Sequence, residues 1–243
     1  MISASPPDVR RGLAAPETDK RKRAAPIVRV LRFTHVSDES NFPLFYYLTR
    51  KKMHLMTKRF LISHDTPALY ITIVTKDRLP VFRTEQMKRV LCRALDEARQ
   101  SAGILLFAYV IMIEHLHLLT DTPSTTSNVL RVIKGLTARR VIDSLKVNNH
   151  AASLAKLRHQ PRARNHSHSL WQTEKNVLPI FSEGMFMEKV NYIHQNPVRA
   201  GFVQRATDYR WSSARIWQSG PYEEEPLLMD HDVIYWRRSI RAR

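Results

Sequence analysis

Cys92 is the only cysteine in the 243-residue chain, so an intrachain disulfide is excluded and a reducing compartment, the cytoplasm, is expected. It falls in an apolar helical pattern, where a small buried hydrophobe is its expected role. No apolar run approaches the roughly 18 residues needed to span a bilayer. The opening MISASPPDVRRGLAAPETDKRKR also lacks the apolar centre of a secretory signal. Acidic residues are scarce: 22 Asp+Glu stand against 39 Lys+Arg, giving a formal net charge of +17 and a sequence pI near 10.4. That excess is far from the balance of a metabolic enzyme and favours a polyanionic partner, either nucleic acid or an anionic membrane surface. With no spanning segment, nucleic acid is preferred. A hydrophobic content of 43% is ordinary for a globular protein, and the length suits one sizeable domain with extensions.

Residues 1–26 mix prolines, alanines and charges without periodicity and read as a disordered basic tail. Residues 27–66 form an extension of mixed pattern, and 67–214 carry the regular periodicities of the main folded domain. Ala68 to Val74 alternates as a strand. Thr84 precedes an amphipathic helix in which Met87, Val90, Leu91, Leu95 and Ala98 share a face and which Gly103 ends. Ile104 to Met112 and His115 to Thr120 read as two buried strands turning near Ile113 and Glu114. Ser124 to Asn128 supplies caps for a second long helix ending near Lys146. The stretch 147–170 is basic, without period or acidic residue, and reads as a flexible loop. A short strand is expected around Val177 to Phe181. The tail 215–243 is either a docking helix or a second basic arm. This order suits an α+β fold: a ferredoxin-like antiparallel sheet with helices packed on one face, plus basic N- and C-terminal extensions.

The chemistry concentrates in two short stretches. In IEHLHLLT, His115 and His117 are separated by one residue in a strand pattern and project from the same face. In YIHQNPVRAG, Tyr192 and Asn196 lie four residues apart on one face of an expected helix, with Pro197 placing Asn196 in the last turn or at the cap. Two imidazoles and one amide oxygen on rigid elements could hold a divalent cation beside a tyrosine hydroxyl. Each piece has a plainer reading. Eleven histidines in this length give about half a histidine-x-histidine by chance, and His166 and His168 supply one in the basic loop. His115 and His117 could be satisfied core histidines, Tyr192 a tyrosine packed on the sheet, and Asn196 a helix cap.

Together, AYVIMIEHLHLLT, the helix with IKGLTARR, then LWQ, YIHQNPVRAG and WSS resemble the REP-associated tyrosine transposases, single-tyrosine HUH transposases of the insertion sequence 200/605 type. The resemblance runs from about Ala68 to Ala214. Ile113 and Glu114 stand where the family often has Pro-Asn or Pro-Asp. No tyrosine lies between Thr173 and Asn191, where many members carry a rival nucleophile. The resemblance implies the same ferredoxin-like plan and a metal-dependent endonuclease and strand transferase. It would act on single-stranded or hairpin DNA at repeated palindromic elements, with Tyr192 as nucleophile, a 5′-phosphotyrosine intermediate and no ATP.

A phenol ionises only near pH 10, so the tyrosine needs a cation on the scissile phosphate. His115, His117 and Asn196 as ligands suit Mg2+ or Mn2+ better than zinc. Should Tyr192 not be the nucleophile, Tyr109 and Tyr209 come next. His194 is structural or a phosphate contact, and Glu114 either orients a histidine or sits in solvent. Lys134, Arg139, Arg140, Arg162, Arg164 and Arg199 are DNA-binding candidates, each also explained by a solvated basic face. A homodimer is left open. The alternative function is a domesticated DNA-binding protein of the same fold without cleavage.

Overall fold

The structure, a computed structural model, describes residues 60–158, 167–220 and 224–235. The expected basic tail 1–26, most of the 27–66 extension, Arg162, Arg164 and the residues after 235 lie outside the described residues.

Strand β1 (Phe60–Leu61) leads into β2 (Ala68–Val74), whose alternate residues Leu69, Ile71 and Ile73 are buried. Helix α1 (Glu85–Ala102) starts where Thr84 accepts a hydrogen bond from the Met87 N–H. It stops at Gly103, whose φ of 64° is left-handed backbone that costs a glycine little. The hairpin of β3 (Leu106–Ile111) and β4 (His115–Thr120) turns at residues 112–114. Helix α2 (Thr126–Val147) is capped by Thr125, α3 (Ala151–Leu157) follows it, and β5 (Asn176–Ile180) returns to the sheet. Helix α4 (Glu183–Arg199) is capped by Ser182, and α5 (Ala214–Ser219) and β6 (Ile234–Tyr235) complete the order.

The main sheet runs β3-β4-β2-β5 with every neighbouring pair antiparallel, while β1 pairs in parallel with β6. Strand, helix, hairpin, helix, strand in that spatial order is the ferredoxin-like plan. Pro179 is tolerated in β5 because that strand is at the edge. Helix α4 sets its rings against the sheet face of Tyr70 and His117. The opposite face, with Leu69, Ile71, Ile73, Leu116 and Leu118 buried, is left for the packed pair α1 and α2 to cover.

Three expectations are corrected. The 147–170 stretch is not irregular throughout: AASLAKL, rich in good helix formers, makes α3 and buries Leu157 completely. Arg158 and His168 then bridge across the remainder. The described part of the C-terminal tail is neither a lone helix nor a free arm. Trp217 Nε1 donates to Phe107 O at 2.8 Å, and the Asp230 carboxylate accepts from Leu106 N at 3.0 Å and from Arg99 at 2.9 Å. The buried core accordingly extends past 67–214 to Ile62, Leu227, Met229, Val233 and Ile234. Finally, Pro197 does not stop α4. It sits in the last turn, where only one hydrogen bond is lost, and the helix closes as Ala200 N bonds to Asn196 O and Gly201, at φ 70°, bonds to Val198 O.

Candidate active site

Strand register builds the first half of the site. Antiparallel pairing of β2 with β4 sets Thr72 opposite His117 and Val74 opposite His115. Because side chains alternate, Tyr70, Thr72, His115 and His117 share one face. The His117 Nδ1 lies 2.9 Å from both the Tyr70 hydroxyl and the Thr72 Oγ1, and the Tyr70 ring stacks on the imidazole at 5.5 Å. The His115 Nδ1 lies 3.1 Å from Glu114 Oε1, and Arg78 is 3.5 Å from the same carboxylate oxygen. Glu114 thus orients His115 instead of lying free in solvent. In the tautomer whose Nδ1–H donates to these oxygens, each Nε2 lone pair is available to a cation, the arrangement in which outer partners fix metal-binding tautomers.

The second half comes from α4. Tyr192 remains 36% exposed and meets the His117 ring edge-on at 5.6 Å and the Tyr70 ring at 6.1 Å. One turn later, Asn196 donates through Nδ2 to Tyr192 O at 2.8 Å, and its side chain lies close enough to the His117 ring to favour the charged imidazole. Donation by the nitrogen leaves the amide oxygen free to meet an ion. The two histidine rings are 5.0 Å apart. Burial pushes the His117 imidazole down to about 3, with the neighbouring His115 adding to the effect and Asn196 opposing it. His115 is also lowered, chiefly by burial and against the pull of Glu114. Both rings are therefore neutral near pH 7, the state that binds metal.

Among the described residues no group of three or more His, Cys, Asp or Glu side chains could hold a metal. The His115, His117 and Asn196 set therefore depends on its amide oxygen. Neutral imidazoles with fixed tautomers and one carbonyl-type oxygen fit a divalent cation of mixed preference.

His194, in the same motif as Tyr192, faces the other way. It is 9% exposed, its Nε2 is 2.9 Å from Ser213 Oγ, and burial lowers it to about 4. Its role is structural, because the same Ser213 hydroxyl accepts from Tyr109 N at 3.0 Å and so ties α4 to β3. The substitute nucleophiles fail on access: Tyr109 is fully buried, and Tyr209 donates its hydroxyl to Ile111 O.

The DNA candidates divide. Lys134 is half-buried and donates to Gln172 O and Glu174 O, while Arg140 pairs with Glu97 through two bonds of 2.6 and 2.7 Å. Both cations thus already have partners within the chain. Arg139 is exposed, and Arg199 is exposed with its guanidinium 4.9 Å from the centre of the Tyr192 ring. Tyr70 and Thr72 were not foreseen. The signal for them was the alternation of β2, which becomes informative only once the register with β4 is known.

No described helix is long and apolar enough to cross a membrane. No curated protein matches the chain. Among solved structures it is similar to a REP-associated tyrosine transposase bound to a REP hairpin, with 21% identity and a TM-score of 0.47 over 72% of this chain and 92% of the other. It is also similar to a Deinococcus radiodurans R1 protein assigned as a transposase, with 22% identity and a TM-score of 0.37 over 54% and 90% of the two chains. The family model described as "Transposase IS200 like" matches residues 68–196, a span that begins with β2 and ends at Asn196. More than half of the chain fits that model, and it takes in both histidines, Tyr192 and Asn196: the chain belongs to the IS200-like transposase family.

Proposed function

We propose that the protein is a metal-dependent endonuclease and strand transferase for single-stranded DNA, with Tyr192 as the nucleophile. The observation that carries this is the exposed Tyr192 side chain, edge-on to His117 and one helical turn from Asn196. His115, His117 and Asn196 would hold Mg2+ or Mn2+. When bound, the ion supplies positive charge to the oxygens of the scissile phosphate.

The chain's own residues do the rest. Tyr70, Thr72 and Glu114 hold the two imidazoles in the tautomers that leave Nε2 free. Arg199, stacked on the Tyr192 ring, restricts its rotamers and places a cation where the phosphate arrives. The Tyr192 Oη attacks phosphorus and forms the O–P bond as its proton passes to solvent. The P–O3′ bond breaks, and the departing oxygen takes up a proton as a 3′-hydroxyl. A 5′-phosphotyrosine remains, so attack by the same or another 3′-hydroxyl rejoins DNA without ATP. A hairpin at a repeated palindrome as substrate follows the motif resemblance, and the family membership supports DNA strand chemistry.

The test is incubation of the protein with hairpin-bearing single strands from beside its gene and Mn2+, followed by denaturing electrophoresis. A covalent adduct that chelation abolishes supports the proposal. Tight hairpin binding with no adduct under any divalent metal would leave the non-cleaving DNA-binding reading in its place.

A further inference from the structure

Three cations converge on one aromatic ring away from the histidine face. The Arg89 and Arg210 guanidiniums lie 5.9 and 6.0 Å from the centre of the Trp211 ring, and the Lys88 ammonium 5.8 Å from the same centre. Arg89, Arg93 and Arg210, with Trp211 and Pro226, line a cavity of about 170 Å³. Helix geometry explains part of this: Arg89 and Arg93 are i and i+4 on α1 and project together.

The acid groups nearby do not balance the cluster. Glu85 pairs with Arg89 at 3.1 Å across an exposed helix face, a contact of small value. Glu225 pairs with Arg215 at 3.0 Å and acts on Arg210 only at longer range, while Arg210 hydrogen-bonds the Glu224 carbonyl at 3.5 Å. Arg93 has no ion pair among the described residues. Lys88 is 8% exposed; its ammonium makes no hydrogen bond or ion pair among the described residues, lies over the faces of Trp211 and of Tyr209 at 5.1 Å, and feels Glu85 only at longer range. An ammonium lodged against two rings, beside three guanidiniums, concentrates positive charge that a bound anion would offset.

Its place in the fold names the anion. Trp211 O accepts from Ile111 N, the last residue of β3, beside the turn that carries Glu114 and His115. Strand β3 lies two strand spacings, about 10 Å, from β2 and its Tyr70. We infer that the pocket of Arg89, Arg93 and Arg210 over Trp211 is a backbone-phosphate subsite for the DNA strand, engaging a nucleotide that flanks the one at Tyr192. Trp211 is 4% exposed, so it braces the guanidiniums and does not stack on a base. The subsite reads phosphate and not sequence. It rests on the proposed DNA substrate but not on cleavage.

The experiment is done with Tyr192→Phe protein, so that binding alone is read, on a hairpin-bearing single strand over a range of salt. Arg93→Gln and Arg210→Gln together should weaken binding by at least tenfold at low salt and reduce the slope of log K against log salt by about 1.4, two contacts at about 0.7 each. A single neutral methylphosphonate walked along the strand should cost the parent affinity at one flanking position and cost the double variant nothing there. An unchanged slope, with no position whose effect the variant abolishes, overturns the subsite. Arg93→Gln alone, at an exposed position, gives half the slope change if the double variant is poorly folded. Failure of the parent protein to bind any single strand would instead overturn the proposed function.

Discussion

His117 and His194 are both buried imidazoles kept neutral by burial, yet they sit in opposite surroundings. His117 has its Nδ1 satisfied by two hydroxyls from the neighbouring strand, and its ring is turned toward Tyr192 and Asn196. His194 meets Ser213, which is itself committed to β3. Burial of a histidine therefore says little about its role. What separates the two is whether the ring borders an exposed tyrosine or a closed core.

The strongest way to break this contrast is at the nucleophile. Tyr192→Phe should lower the yield of covalent DNA adduct by at least about 10³-fold while hairpin affinity changes less than about twofold, because only the hydroxyl is removed. An adduct of undiminished yield would remove the exposed side of the comparison. Next, His194→Ala should destabilise the metal-free protein by about 2 to 4 kcal/mol in denaturant titration, through a cavity and the lost buried hydrogen bond. Metal affinity of the folded fraction should not change. His117→Ala should show the reverse pattern, with Mn2+ binding lost by calorimetry and stability little affected. If both variants lose the same quantity, the two histidines are not functionally distinct.

Tyr70→Phe and Thr72→Val sharpen the first half of the contrast. Either alone leaves one hydroxyl at Nδ1 and should alter Mn2+ affinity by less than about threefold. Together they should weaken it by about 10- to 100-fold. Strict additivity of the two would argue that neither hydroxyl substitutes for the other.

The smallest effect is in pH dependence. For both histidines the folded values, about 3 and about 4, lie below the ordinary 6.5. Their contribution to stability is thus complete above pH 6.5 and declines as pH falls from 6.5 toward 4. Asp121, raised to about 6 by burial, acts with the opposite sign over pH 6 to 4. In metal-free protein, His194→Gln should flatten the acid side of the stability profile by about 1.4 kcal/mol per pH unit in that window. An unaltered slope would mean that His194 titrates normally in the fold.

These contrasts also mark what the sequence could reveal. Elements with a strong local period or cap were legible: β2 by alternation, α1 by Thr84 and Gly103, and the β3–β4 hairpin by its buried runs. That Tyr192 and Asn196 share one helix face and His115 and His117 one strand face was legible because fixed spacing on a helix or strand fixes direction. Helix α3 was not, since seven residues with one fully buried leucine carry too little periodicity. Tyr70 and Thr72 depend on a register between residues 45 and 47 positions apart, and no local pattern encodes that. The cations were least legible. Lys134 and Arg140 look like any basic residues of a DNA-facing helix until tertiary structure brings Gln172, Glu174 and Glu97 to them.

The hydroxyl of Ser213 joins two points that are 104 and 19 residues away along the chain. Its partnership with Tyr109 closes a long loop, a slow non-local step in folding. Helix α4 can acquire its own hydrogen bonds early, but the contact that fixes its rotation over the sheet waits for residue 213. Reactivity at Tyr192 is therefore expected to appear late during synthesis, after the segment Trp211 to Ser213 has left the ribosome. A chain released before that point would carry both histidines, the tyrosine and the asparagine with nothing to hold them in alignment.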